Sequence, residues 1–319
     1  MSRGTLIFGA LVLALIGFTV FDHKKTEKDE TRKSEESVVV KLKADQVSEI
    51  EISRSANPIK MKKEGTEWKL LEPVADLADQ SAVTELVDSL TREKASETAK
   101  EGDKDSDVDW KIFGLDNPKA VFQIKGGTEP SNPVIKVAVG SRKNFEGSTF
   151  LRLNADKKVL VSSSVWDTHA NKVVKDFRDK RGVRSPLTGA EKMELKSEAS
   201  SKKEPRDSQM NLSLVRKDQE WKAPKNPDFK LDSTKVSEIL TMLGELKVTD
   251  FVSEAPDLKK VIKAGSATRT LKFQVAEGAK VFQGELVAET PKEGGAATYY
   301  WSSSELPRVM KLETASPEK

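Results

Sequence analysis

The chain contains no cysteine. Disulfides, thiol nucleophiles and cysteine-ligated zinc are therefore excluded. Histidine is almost as scarce, with two in 319 residues. One of them, His169, has no His, Cys or Glu companion at metal-ligand spacing and reads as a histidine packed at a helix–sheet edge. Neither sign of charge prevails: 54 basic and 51 acidic residues leave a net charge of +3, which gives no electrostatic argument for nucleic acid. No phosphate-binding glycine loop, HExxH, serine-centred elbow or paired-acid motif occurs. ATP hydrolysis within the chain has no support, no catalytic, cofactor-binding or metal-binding residue is assigned, and no enzymatic activity is expected. The acidic stretch Glu101–Asp109 starts like a calcium loop, with Asp103, Asp105 and Asp107 as the first three ligands. The match then fails, because Val108 stands where the turn glycine belongs and Gly114 where the bidentate glutamate belongs. It reads as a solvated loop.

What the chain does have is a duplication. The stretch Glu64–Leu90 returns as Lys217–Leu243. Trp68 maps to Trp221, Asp79 to Asp232, Val83 to Val236, Leu86 to Ile239 and Leu90 to Leu243, all at one offset of 153 residues. Each copy reads as a strand ending at the tryptophan, a loop, an aspartate and an amphipathic helix. Asp79 and Asp232 sit where a helix N-cap belongs. The helices carry apolar residues at i, i+3, i+4 and i+7, as one buried face requires. Trp68 and Trp221 are expected to pack beneath those helices.

Thr5–Phe21 is an uncharged, mostly apolar run of 17 residues, at the short end of a bilayer span. No small-residue cleavage pattern follows it, so an uncleaved anchor is expected over residues 1–22. Within it Ala10, Ala14 and Gly17 align on one helical face, a candidate contact for another membrane helix. Residues 23–37 are charged and read as a flexible tether. The first lobe is expected over 38–184, the second over 190–313 and a tail over 314–319.

Within each lobe the expected order is strands, one helix, three or four more strands and a short terminal helix. In the first lobe the helices are expected over Gln80–Ser96 and Val165–Phe177. The Ser302–Ser304 triplet echoes Ser162–Ser164 at an offset of 140, which predicts that about a dozen residues are lost between helix and triplet in the second copy. The FGLDNP turn, Phe113–Pro118, has no clear counterpart there. Short connections favour antiparallel pairing. The expected fold class is α+β: an N-terminal transmembrane helix, then two repeated lobes, each an antiparallel sheet with helices on one face.

Four motifs now carry a resemblance: E-W-x-L-x-x-P (Glu67, Trp68, Leu70, Pro73), A-D-x-x-x-V (Ala78, Asp79, Val83), F-G-L-D-x-P (Phe113–Asp116, Pro118) and D-F-R-D (Asp176–Asp179). In combination they resemble domain-of-unknown-function family 4340, over Val38–Arg181 well and over the second copy weakly. The resemblance implies a bacterial protein with one N-terminal membrane helix and an extracytoplasmic repeat region, occurring beside gliding-motility-type ABC transporter components. It brings no catalytic residues. The expectation is a non-catalytic accessory or scaffold subunit at the inner membrane, with its bulk on the periplasmic side, partnered by the transporter's permease, ATPase and auxiliary subunits. The alternative is a binding module for a cell-wall polymer or secreted peptide, with Trp110, Trp166, Tyr299, Tyr300 and Trp301 as candidate contacts.

Overall fold

The computed structural model describes residues 37–54, 57–127, 132–199, 210–262, 266–290 and 296–313. The chain divides into two units, the first ending at Asp179 and the second beginning at Lys180. The first contains β1 (Val47–Ser53), β2 (Ile59–Glu64), β3 (Glu67–Glu72), β4 (Asp76–Leu77), α1 (Gln80–Arg92), β5 (Ala95–Glu101), β6 (Ala120–Gly126), β7 (Val134–Lys143), β8 (Thr149–Leu153), β9 (Lys158–Ser162) and α2 (Val165–Asn171). Its strands form one nine-stranded sheet in the order β4-β3-β2-β1-β6-β7-β8-β9-β5.

The second contains β10 (Lys192–Ala199), β11 (Asn211–Lys217), β12 (Glu220–Lys222), α3 (Ser233–Gly244), β13 (Val248–Ser253), α4 (Leu258–Val261), β14 (Ala267–Glu277), β15 (Lys280–Thr290), β16 (Thr298–Ser303) and β17 (Val309–Leu312). Its sheet runs β12-β11-β10-β14-β15-β16-β17-β13. This is the order of the first sheet without β4. In both, the strand after the long helix pairs antiparallel with the last strand of the lobe.

Registers agree as well. Ile50 stands between Met61 and Ile124, and Met193 between Leu214 and Val275. Period-two alternation explains why these strands form: Ile50 and Ile52 are fully buried while Glu49 and Glu51 between and beside them are half-exposed. One face of the first sheet carries Ile50, Ile52, Met61, Phe122, Ile124 and Val137 against α1 and α2. The matching face of the second carries Met193, Leu214, Phe273, Val275 and Trp301 against α3.

Each sheet also has a smaller apolar cluster on its other face. In the first lobe, Val108 and Leu115 from the β5–β6 connection cover Ala138, Phe150 and Val159. In the second, Leu258, Val261 and Ile262 cover Val287, Tyr300 and Val309. Neighbouring residues in a strand point to opposite faces. Tyr300 beside Trp301, and Val309 beside Met310, therefore place α4 on the face opposite α3.

These findings correct the expected fold class. The lobes are two mainly antiparallel β units, not α+β layers with helices on one face. The helix expected over Gln80–Ser96 stops at Arg92, and the polar stretch Ala95–Glu101 becomes β5. The helix expected over Val165–Phe177 stops at Asn171. Where the second lobe was expected to end in a short helix, it ends in β17. The β13–α4–β14 connection occupies the place of the FGLDNP segment, so that segment does have a counterpart. Nor are a dozen residues missing: β9 and β17 follow their long helices at nearly equal intervals. Ser162–Ser164 overlaps the end of the last strand of its lobe and Ser302–Ser304 the end of the penultimate one, so the two triplets are not equivalent. Thr5–Phe21, with Ala10, Ala14 and Gly17, lies outside the described residues. No helix among the described residues is long and apolar enough to cross a membrane.

Candidate functional site

The motif residues converge on the joint between β3, α1 and the segment after α2. Trp68 is 5 % exposed, and its N–H donates to Gln80 Oε1 at 2.7 Å. The same amide is the donor in the second lobe, where Trp221 N–H donates to Ser233 Oγ at 3.0 Å. Gln80 Nε2 returns hydrogen bonds to the carbonyls of Trp68 and Ala78. Asp79 N-caps α1 by accepting from Ala82 N–H, and Asp232 caps α3 by accepting from Thr234 and Lys235 N–H. Both caps remove orphan donors at a helix start.

The D-F-R-D segment closes this joint from the far end of the lobe. Asp79 N–H donates to the Phe177 carbonyl at 2.8 Å and Asp179 N–H to the Leu77 carbonyl at 3.0 Å. Arg178 Nε donates to Asp76 Oδ2 at 2.9 Å, with both side chains at most 3 % exposed. Phe177 is fully buried in the main core. The F-G-L-D segment is locked in the same manner: Gly114 has φ +66°, and a Cβ there would meet the backbone of Ser141 and Arg142 inside 3 Å.

Other titratable groups are likewise engaged. Asp167 on α2 receives Lys143 at 2.7 Å and also Lys119. Burial alone would raise its carboxyl, but hydrogen bonds from the two lysines outweigh that and hold it below the usual range. His169 is 4 % exposed, with no hydrogen-bond partner at Nδ1. Burial first, and the Lys172 charge second, lower its pKa to about 4 against an opposing pull from Glu85. It is a neutral packed histidine. The acidic loop is countered by basic groups: Arg152 pairs with Asp105 at 2.5 Å and stacks on Trp110, and Lys158 pairs with Glu101. Among the described residues no group of three or more His, Cys, Asp or Glu could hold a metal.

Of the candidate aromatic contacts, Trp166 and Trp301 are fully buried and Trp110 and Tyr300 half-buried; Tyr299 is 36 % exposed. A cavity of about 680 Å³ lies on the second lobe and is lined chiefly by polar strand residues, among them Asn211, Lys272, Gln274 and Glu285. Sequence reasoning did not find it. Its floor is the polar half of strands whose apolar half had already marked the core, and polar alternation alone does not separate a cavity wall from open surface.

A family model described as Domain of unknown function (DUF4340) matches residues 68–262. The match runs from the Trp68 joint through α3 and α4 of the second lobe, further than the motifs alone reached. No curated protein and no solved structure matches the chain. The matched stretch is more than half of the chain, which therefore belongs to the DUF4340 family.

Proposed function

We propose that the chain is a non-catalytic accessory or scaffold subunit of a bacterial envelope ABC transporter complex of the gliding-motility type, working on the extracytoplasmic side of the inner membrane. One observation carries this reading: the motif residues are structural. Trp68, Asp79, Phe177 and Arg178 are consumed in capping, burial and ion pairing at one joint, so what the motifs specify is a shape. Motifs spent on shape are compatible with a holding role and supply no catalytic group. The family resemblance supplies the transporter context. The alternative, a binding module for a cell-wall polymer or secreted peptide, rests on the polar cavity of the second lobe. Burial of Trp166 and Trp301 weighs against an aromatic glycan platform.

The test is affinity purification of the full chain from native membranes in mild detergent, read by mass spectrometry beside a chain lacking Met1–Phe21. The accessory reading expects an ATPase and a polytopic membrane subunit with the full chain. Recovery of wall polymer or a secreted protein in their place would transfer the assignment to the binding module.

A further inference from the structure

The first lobe holds a phenylalanine out into solvent. Phe145, at the tip of the β7–β8 hairpin, is 96 % exposed. Its backbone is nevertheless fixed. Asn144 Oδ1 accepts from the N–H groups of Glu146 at 3.1 Å and Ser148 at 2.7 Å, and Asn144 N–H donates to the Ser148 carbonyl. Gly147 closes the turn at φ +83°. At the base of the hairpin Lys143 pairs with Asp167. A ring carried on such a fixed tip loses little freedom when it is bound. Exposed Arg142 precedes it and exposed Glu146 follows it, and neither side chain has an ion pair among the described residues.

The second lobe carries a pocket of about 290 Å³ beside the β14–β15 turn. Leu187, Ala190, Val275, Val281 and Phe282 make its apolar floor. Phe282 belongs to a ring cluster with Phe273 and Trp301, at 5.8 and 6.4 Å, and Val281 is 50 % exposed. An apolar cavity of roughly 150 Å³ already holds a benzene ring, so this one has room for a phenylalanine side chain. On the rim stand Glu277 and Lys280, at the two ends of the turn. Both are exposed, and neither has an ion pair among the described residues. The third charged group, Glu305, is already engaged by the N–H groups of Arg184 and Ser185.

We propose that Phe145 of one copy of this chain enters the Phe282 pocket of a second copy, with Arg142 meeting Glu277 and Glu146 meeting Lys280. Size and charge both fit. The tip is a ring between one cation and one anion, and the pocket is an apolar floor between one anion and one cation. Both halves of this complementary contact lie on one chain, which makes a second copy the occupant. The contact joins a first lobe to a second lobe, so it is heterologous and continues from copy to copy. The ring supplies the attraction, and the rim charges set its orientation. The inference goes beyond the scaffold reading and stands without the transporter, because it concerns this chain alone.

Sedimentation velocity of the full chain in detergent, over about a hundredfold range of concentration, should show reversible growth beyond the monomer. Phe145→Asp and Val281→Asp, both at exposed positions, should keep the thermal transitions and each raise the dissociation constant about thirtyfold or more. An equimolar mixture of these two variants should recover a dimer that grows no further, since the pair holds one intact tip and one intact pocket. Arg142→Glu should weaken association about threefold, and Glu277→Arg in the same chain should restore it. Val134→Asp, at the place in the first lobe equivalent to Val281, should change nothing. A monomer at every concentration, growth indifferent to Phe145→Asp or to Val281→Asp, a mixture that stays monomeric, or growth abolished by Val134→Asp overturns the inference.

Discussion

The two lobes fill one position in opposite ways. Phe122 and Phe273 are equivalent by register, each in the strand beside β1 or β10. In the first lobe the large ring over Phe122 is Trp166, brought from outside the sheet by α2, edge-on at 5.4 Å. In the second the ring over Phe273 is Trp301, supplied by β16 itself and stacked at 5.1 Å. Opposite Phe122 stands Val137, and opposite Phe273 stands Gly284. A Cβ on Gly284 would lie 2.4 Å from Trp301. The polar atoms differ too: Trp301 Nε1 donates to the Gly182 carbonyl at 2.7 Å, whereas buried Trp166 Nε1 has no partner. One topology thus tolerates two sources of core volume. The second lobe became self-sufficient over its phenylalanine while leaving its helix flank bare.

Four changes would break or sharpen this contrast. Asp76→Asn removes the buried carboxylate that Arg178 Nε meets and should destabilise the first lobe by about 3–5 kcal/mol; Phe229→Asn, at the equivalent position, should change little, and differential scanning calorimetry of the full chain reads both. Gly284→Val drives a methyl into Trp301 and should cost the second lobe about 3 kcal/mol. The reciprocal Val137→Gly should lower the first transition instead. An unchanged second transition in Gly284→Val would mean that Trp301 does not fill this position.

The third change is pH. His169 has a folded pKa of about 4, below its unfolded value of 6.5. The unfolded state therefore binds more protons between those values. The stability that neutral His169 confers is complete above pH 6.5 and is lost as pH falls towards 4, by on the order of 2 kcal/mol. The second lobe has no histidine, so over pH 6.5–5 the first transition should shift and the second should not, and His169→Phe should flatten the first. Smallest are the caps. Asp79→Ala and Asp232→Ala should each cost about 1 kcal/mol, measured by denaturant midpoint. The Asp79 variant should lose slightly less, since Asp79 N–H keeps its bond to Phe177.

The duplication was legible because its anchors are side chains with no freedom to vary in type: an indole beneath a helix, a carboxylate at an N-cap and an apolar stripe on a turn of 3.6 residues. The two-sided sheet was not legible. β5 has one half-buried residue followed by six exposed ones, so it has no alternation for a sequence reading to detect. β17 spells Val-Met-Lys-Leu, which suits a helix face as well as a strand. At the motif joint, Asp76 lay outside every motif. Only the structure shows that the arginine of D-F-R-D needs it.

The pairing of β5 with β9 sets an order of events during synthesis. α1 and β5 leave the ribosome long before the strand that β5 must meet, and Asp76 precedes Arg178 by two-thirds of the lobe. The first lobe therefore closes only when its last residues have emerged, and until then an open sheet edge waits in the company of whatever receives the nascent chain. A ribosome stalled just short of Arg178 would display that half-built state.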